Sequence, residues 1–537
     1  MAFNGPRTRA LLAALLLALT ALAPLARAQD TSACNVRVTL LQVNDVYRFT
    51  PGPHGGGLAR VSTLRKTIMK ESPNALFLLA GDTISPSVES ITYKGQQMID
   101  AWNQLGLDYS VFGNHEFDYG DAELLKRIQE SKFKWLGANV VSAKTGKTFA
   151  STPLFDVREF SGVKVGIFGI TLPETKTTSK PGPDTEFRDP CETARAVVPQ
   201  IRAAGAQTIV ALTHLALAQD KALARCATEA GAKIDVIIGG HEHTLLQSAS
   251  GGTPIFKMTA DARELGQIDL NINPATGRVE SVDWKIIPVD DSVKDDPDFA
   301  PVVAKYEKLT KELAAPVGRT SVELDARSAT NRNEETNIAD FIADAYRREA
   351  GADVALLNGG SIRADDVLQP GELTVRDVLS MLPFGNELVK IEVTGDTLLK
   401  ALEHGVSLTG PGAEPGRFPQ VSGLRYSFDA SRLPGTRIKE VTVGGKPLDP
   451  KKTYTVVTPA YLAGGGDEYA MLKGSKSVPL APKLSDSDVL RRAISTAGTI
   501  APQKDGRITR LDKPGGTDEP CKPAAQPTPA ARPTPGG

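Results

Sequence analysis

The sequence predicts a two-domain α/β protein, on three observations. The chain has 537 residues, more than one hydrophobic core usually serves. From residue 35 to about 289, short β-branched or Leu-rich runs alternate with longer amphipathic stretches, the pattern of buried strands in an α/β or layered β architecture. A fresh pattern of helix and strand signals begins near Arg319, beyond a helix-like connector.

Taken in order, the N-terminus stands outside the fold. Arg7 and Arg9 precede an apolar run from Ala10 to Leu22, and Ala26-Arg27-Ala28 has the small-x-small form of a cleavage site. The run is short for a bilayer span, so a membrane anchor is the weaker reading. Residues 1–28 therefore read as a signal peptide, with export to a periplasmic or extracellular location and no stable membrane insertion after cleavage. Residues 29–294 form the first predicted domain. The stretch 295–316, "DDPDFAPVVAKYEKLTKELAAP", has helical periodicity after a Pro-Asp start and reads as a linker helix.

Residues 317–512 form the second predicted domain. In "ETNIADFIADAYRREAG", Ile338, Phe341, Ile342 and Ala345 share one helical face, and Gly351 ends the helix. "DVALLNGGSIR" is a strand entering a glycine turn, and Thr374 caps a short helix after it. Residues 513–537 are Pro-rich, cannot bury a core, and read as a disordered tail.

Composition excludes some classes. With 62 basic and 63 acidic residues, net charge −1, there is no electrostatic case for a nucleic-acid polymer as partner. Four cysteines, Cys34, Cys191, Cys226 and Cys521, in an exported chain favour disulfides, with three pairings open. Cys191 with Cys226 is preferred because both lie in one segment of the first domain, leaving Cys34 with Cys521.

Five apolar runs of the first domain end in metal-capable side chains. These are Asp45, Asp82, Asn114 with His115, His214, and His241 with His243. Ligands in open α/β sheets bind beyond the carboxyl ends of strands, so five such ends can converge. Carboxylate, amide oxygen and imidazole suit hard and borderline divalent ions, and Asp82 can bridge two of them. Two ions roughly 3.5–4 Å apart clamp a displacement and lower the pKa of water. Singly, such an Asp is most often a turn former and such a His a hydrogen-bonded structural residue. Together they weigh more, since four of the six histidines stand at run ends.

"GD" at 81–82, "GNHEFD" at 113–118, "TH" at 213–214 and "GGHEH" at 239–243 resemble the calcineurin-like metallophosphoesterase pattern. Their order and spacing resemble the 5′-nucleotidase family in particular, over about residues 36–512. The resemblance implies a four-layer αββα sandwich followed by a smaller mixed α/β substrate-binding domain. It implies two divalent or mixed-valence metal ions, of Mn, Zn, Fe, Co or Mg. Asp45, Asp82 and His243 would hold one; Asp82, Asn114, His214 and His241 the other. His115, oriented by Asp118, would stabilise the transition state.

In the second domain, aromatic residues stand beside glycine turns. Phe418 and Tyr461 could sandwich a nucleobase, Asp467 could accept from ribose hydroxyls, and Arg363 offers a planar fork to an anion. Each is ordinary alone; "NGGSIR", "RFPQVSG" and "YLAGGGDEY" resemble the family's base-binding loops. The implied function is hydrolysis of nucleoside 5′-monophosphates by metal-activated water, in a monomer or homodimer. Alternatives on the same site are a 2′,3′-cyclic-nucleotide phosphodiesterase with 3′-nucleotidase activity and a UDP-sugar pyrophosphatase. A different class is a non-catalytic nucleotide-binding surface protein.

One departure stands out. Most of the wider family has Asp-x-His where this chain has Asp45-Val46-Tyr47. Three readings follow, in order: Tyr47 is not a ligand; Tyr47 binds as phenolate, favouring ferric iron; or His54 folds back to substitute.

Overall fold

The run Val36–Val43 forms a strand, buried from Val38 onward because helices cover one face of its sheet and a second sheet covers the other. It pairs in parallel with Ala75–Leu79, which pairs in parallel with Tyr109–Val111, and that strand with Lys134–Leu136. The antiparallel pair Glu264–Ile272 and Val279–Pro288 extends the other edge. A second six-stranded sheet has Val163–Thr171, Thr208–His214, Val236–Gly239 and Thr253–Lys257 in parallel at its centre. These relations come from a computed structural model, which describes residues 35–52, 54–410 and 413–512.

The two sheets pack face to face. Val38, Leu40, Leu76 and Leu78 of one meet Ile167, Val210, Leu212 and Ile238 of the other in a single apolar cluster. Their outer faces carry helices: Val61, Met98 and Trp102 cover the first sheet, and Ala194, Val197, Ile201 and Leu223 the second. The result is the expected helix–sheet–sheet–helix sandwich. Both faces of each sheet are covered, which is why the central strands read as continuous apolar runs rather than alternating ones. A disulfide joins Cys191 to Cys226, linking the helices Pro190–Ala203 and Leu217–Glu229. Cys34 and Cys521 lie outside the described residues, as do segments 1–28 and 513–537.

The helix Ala300–Leu313 follows the sandwich, and Val302 and Tyr306 pack into its core. Beyond it, a five-stranded sheet is ordered Pro419–Ser422, Val354–Asn358, Thr453–Pro459, Leu388–Thr394, Lys476–Val478. The helices Asn337–Ala350 and Asp486–Ala497 cover one face, and Gly395–Gly405 the other. The helix Asn337–Ala350 starts where the Thr336 side chain accepts from Ala339 N–H and stops at Gly351, whose φ is 54°. Arg376 meets Glu89 at 2.8 Å and Arg263 meets Asp365 at 3.7 Å, so the two parts of the chain close over a shared cleft. Among the described residues no helix is long and apolar enough to cross a membrane.

Candidate metal centre

The expected side chains arrive from strand ends. Asp45 follows Val36–Val43, Asp82 follows Ala75–Leu79, and Asn114 follows Tyr109–Val111. His214 ends Thr208–His214, and His241 and His243 follow Val236–Gly239. Asp45, Asp82, His241 and His243 all have positive φ, at 54°, 56°, 93° and 57°. Each such residue costs about 1–3 kcal/mol and persists where surroundings over-determine it, as at functional sites. Two glycines permit the close approach. A Cβ on Gly81 would lie 2.5 Å from His214 Nδ1, and one on Gly113 would lie 2.1 Å from Asp82 Oδ1.

One carboxylate oxygen of each aspartate is fixed by the backbone and the other is turned inward. Asp45 Oδ2 accepts from His241 N–H and from Asn44 Nδ2, both at 2.8 Å. Its Oδ1 lies 3.2 Å from His243 Nε2. Asp82 Oδ1 accepts from His115 N–H at 2.8 Å, while Oδ2 lies 3.2 Å from His214 Nε2. His214 Nδ1 donates to the Ala80 carbonyl at 2.8 Å, which aims Nε2 at the centre.

The donor set fits metal ions. Asn114 Oδ1 is buried without a hydrogen-bond partner, a rare condition that a bound cation would relieve, and His214 Nε2 faces only Asp82 Oδ2, at 3.2 Å. Ligand atoms of Asp45, Asp82 and His214 lie within 4.8 Å of one another. Burial works against protonating His214, but Asp82 and Asp45 outweigh it and raise the imidazole to about 10. Burial alone would raise Asp45, yet His243 and His214 hold its carboxyl well below the ordinary range. Two buried carboxylates thus draw positive charge inward, and metal ions meet the same demand.

Tyr47 also faces this centre. Its Oη lies 2.9 Å from His243 Nε2 and 3.3 Å from both Asp45 Oδ1 and Asp82 Oδ2. Burial and the two aspartates push the phenol well above its ordinary value. His54 does not fold back as the third reading required. It is half exposed and meets Asp366 Oδ1 at 3.1 Å, held away by that contact with the C-terminal part.

His115 Nδ1 meets Asp118 Oδ2 at 2.7 Å, and Asp118 Oδ1 accepts from Ser179 Oγ at 2.7 Å. Burial disfavours the imidazolium, but Asp118 and Asp82 offset it and raise His115 above its ordinary value. The ring stacks against Phe384, with centroids 5.8 Å apart. Glu116 is a residue that sequence reasoning passed over. Its buried carboxylate accepts from the N–H groups of Asp82 at 3.1 Å and Thr83 at 2.7 Å, and also from Gly113 N–H. It ties the loops of Asp82 and Asn114 together.

A cavity of about 610 Å³ opens from this centre to the C-terminal part. Asp82, Asn114, His115, His241 and His243 line one wall; Arg332, Asn358, Arg363, Arg417, Tyr461 and Asp467 line the other. Tyr461 Oη donates to Asp467 Oδ1 at 2.8 Å or to the Thr177 carbonyl at 3.0 Å. Asp467 Oδ2 accepts from Asn358 Nδ2 at 2.7 Å. Arg332 Nε has no hydrogen-bond partner; burial and the neighbouring Arg363 lower Arg332 to about 10.

Phe418 departs from expectation. It is 0% exposed, packs at 5.7 Å from the Phe428 ring, and does not line the cavity. The strand Pro419–Ser422 turns it into the core, and Arg417, paired with Glu468 at 2.6 Å, faces the cavity beside it. The expected sandwich of Phe418 and Tyr461 is therefore not formed. Arg332, Asn358, Phe384 and Arg417 escaped the sequence reading. Asn358 and Arg417 open the quoted loops and adjoin Gly359 and Gly416, a signal that could have found them.

Residues 38–245 match the family described as calcineurin-like phosphoesterase, and residues 316–474 match the 5′-nucleotidase C-terminal domain. A 5′-nucleotidase of Mus musculus is 30% identical over 552 residues, covering 92% of this chain and 93% of that protein. A snake venom 5′-nucleotidase of Gloydius brevicauda is 29% identical over 536 residues, covering 90% of each. The crystal structure of a 5′-nucleotidase precursor from Thermus thermophilus superposes with a TM-score of 0.81 at 29% identity, covering 89% of this chain and 100% of that one. With metal-capable strand ends facing a closed cleft and likeness along nearly its whole described length, the chain belongs to the 5′-nucleotidase family, as a metal-dependent phosphoester hydrolase.

Proposed function

We propose that the chain removes phosphate from nucleoside 5′-monophosphates in an exported, periplasmic or extracellular setting. The observation that carries this reading is the cavity itself, with metal-capable residues on one wall and Arg332, Arg363, Asn358, Tyr461 and Asp467 on the other. Asp45, Asp82 and His243 would hold one ion, and Asp82, Asn114, His214 and His241 a second. Bound there, divalent ions lower the pKa of water and offset phosphate charge. His115, held by Asp118, would offer its imidazole to the charge that develops on the transferring phosphoryl group. Arg332 and Arg363 attract the substrate's anionic end, and the Tyr461 ring stacks on the base. Asp467, already fixed by Asn358, accepts from the ribose. Residues 29–294 and 317–512 would act as catalytic and nucleotide-binding domains joined by 295–316.

The test is a substrate panel of AMP, 3′-AMP, 2′,3′-cyclic AMP and UDP-glucose with each of Mn, Zn, Co, Fe and Mg. Preferred turnover of AMP is expected. Preference for cyclic AMP or UDP-glucose would reassign the substrate, and nucleotide binding without turnover would overturn the hydrolytic reading. Tyr47 is probed separately: an iron-loaded protein whose visible colour is lost in Tyr47→Phe would make the phenol a ligand. A colourless iron-loaded protein would make it a neighbour only.

A further inference from the structure

Lys257 is 1% exposed and ends the strand Thr253–Lys257, behind the centre rather than in the cavity. Its ammonium meets four oxygens. Two are main-chain carbonyls, of Leu215 and of Gly240, the latter at 2.9 Å. Two are carboxylates, Asp220 Oδ2 at 2.8 Å and Glu242 Oε2. Leu215 follows His214, and Gly240 precedes His241, so one buried cation spans the two loops that carry His214, His241 and His243.

The carboxylates extend the clasp. Glu242 lies between His241 and His243, and its Oε1 accepts from Leu217 N–H at the start of the helix Leu217–Glu229. Asp220, fully buried on that helix, also accepts from Thr213 Oγ1 at 2.7 Å. A buried lysine close to a metal centre would repel cations unless compensated; here the carboxyls of Asp220 and Glu242 stand against its ammonium. The loop it holds has φ of 93° at His241 and 57° at His243, a shape those residues do not favour alone.

We propose that Lys257, with Glu242 and Asp220, is a positioning network that sets the imidazoles of His214, His241 and His243 and thereby the metal affinity of the centre. Partners behind metal ligands commonly govern affinity by about 10–100-fold. The inference rests on the metal-centre reading above.

The experiment titrates Mn²⁺ into full-length wild type, Lys257→Met and Glu242→Gln, each stripped of metal, against a competing chelator. Melting is followed in parallel with chelator present. Lys257→Met is expected to weaken Mn²⁺ binding by about 10-fold or more. Glu242→Gln is expected to weaken it in the same direction by less, with its melting in chelator unchanged. The double variant should add little to Lys257→Met, because both act through one contact. Affinities of both single variants equal to wild type would overturn the proposal, as would losses that merely track melting. Should Lys257→Met fail to fold, Glu242→Gln decides alone: weakened binding supports the network and unchanged binding overturns it. Wild type that binds no Mn²⁺ would overturn the metal-centre reading and this inference together.

Discussion

The two walls of the cavity place their charges differently: acidic and imidazole groups gather on the N-terminal wall, while Arg332 and Arg363 stand beside Glu414 and Asp467 on the C-terminal wall. At the N-terminal wall and just behind it, Asp82 and Asp45 are buried at 1% and 0% exposure, and their charge is answered by imidazoles at 3.2 Å. On the C-terminal wall, Arg332 keeps an unpartnered Nε, and its guanidinium is lowered by burial and by Arg363. One wall offers buried carboxylates to cations, and the other offers two guanidiniums, Arg332 and Arg363, to an anion. A phosphate ester held between them satisfies both, which is why neither wall alone specifies the chemistry.

Substitutions can separate the walls. Asp82→Asn removes the shared charge of the N-terminal wall; kcat/KM is expected to fall about 10³-fold or more, with metal content falling beside it. Unchanged metal content would deny Asp82 the bridging role proposed for it. Phe418→Ala should act on folding alone, costing about 3–5 kcal/mol in denaturant unfolding, with KM for AMP unaltered. A raised KM in folded protein would return Phe418 to the nucleotide site. His115→Asn should lower kcat about 10²-fold with little change in KM, since the imidazole acts as charge develops. Arg332→Met should do the reverse, raising KM about 10-fold with less effect on kcat.

A last prediction concerns buried acid in the C-terminal part. Asp486, 1% exposed with an unpartnered Oδ2, is pushed up to about 7, chiefly by burial. Its folded value lies above its ordinary 3.8, so the native state binds the extra proton between those limits. Stability therefore declines as pH rises through that window and is level above it, by at most ~1.4 kcal/mol per pH unit. Asp486→Asn should flatten the decline; urea unfolding of both proteins at pH 5, 6 and 7 reads it. An equal slope in the two proteins would place the charge elsewhere.

The metal wall was legible because its residues terminate apolar runs. A strand has a fixed direction, so Asp45, Asp82, Asn114, His214 and His241 all emerge at the same edge of the packed sheets. The nucleotide wall was only half legible. Arg363, Tyr461 and Asp467 line the cavity, but Phe418 sits in the same kind of glycine-bounded loop and turns inward. Its direction depends on the strand Pro419–Ser422 and on Phe428 across the core, neither of which its local sequence announces.

By itself the amino-acid order determined an α/β class and the metal-capable residues that end its apolar runs, since both are local patterns; the αββα layering and the family followed from the resemblance of its motifs. The Cys191–Cys226 pairing was a preference among three until the helices Pro190–Ala203 and Leu217–Glu229 were seen side by side. Only the tertiary structure decided that Tyr47 faces both aspartates, that His54 pairs with Asp366, and that Phe384 lies on His115. It also decided that Lys257 reaches two ligand loops at once. These contacts join residues tens to hundreds of positions apart, or turn on side-chain direction, and sequence periodicity carries neither distance nor direction across such gaps.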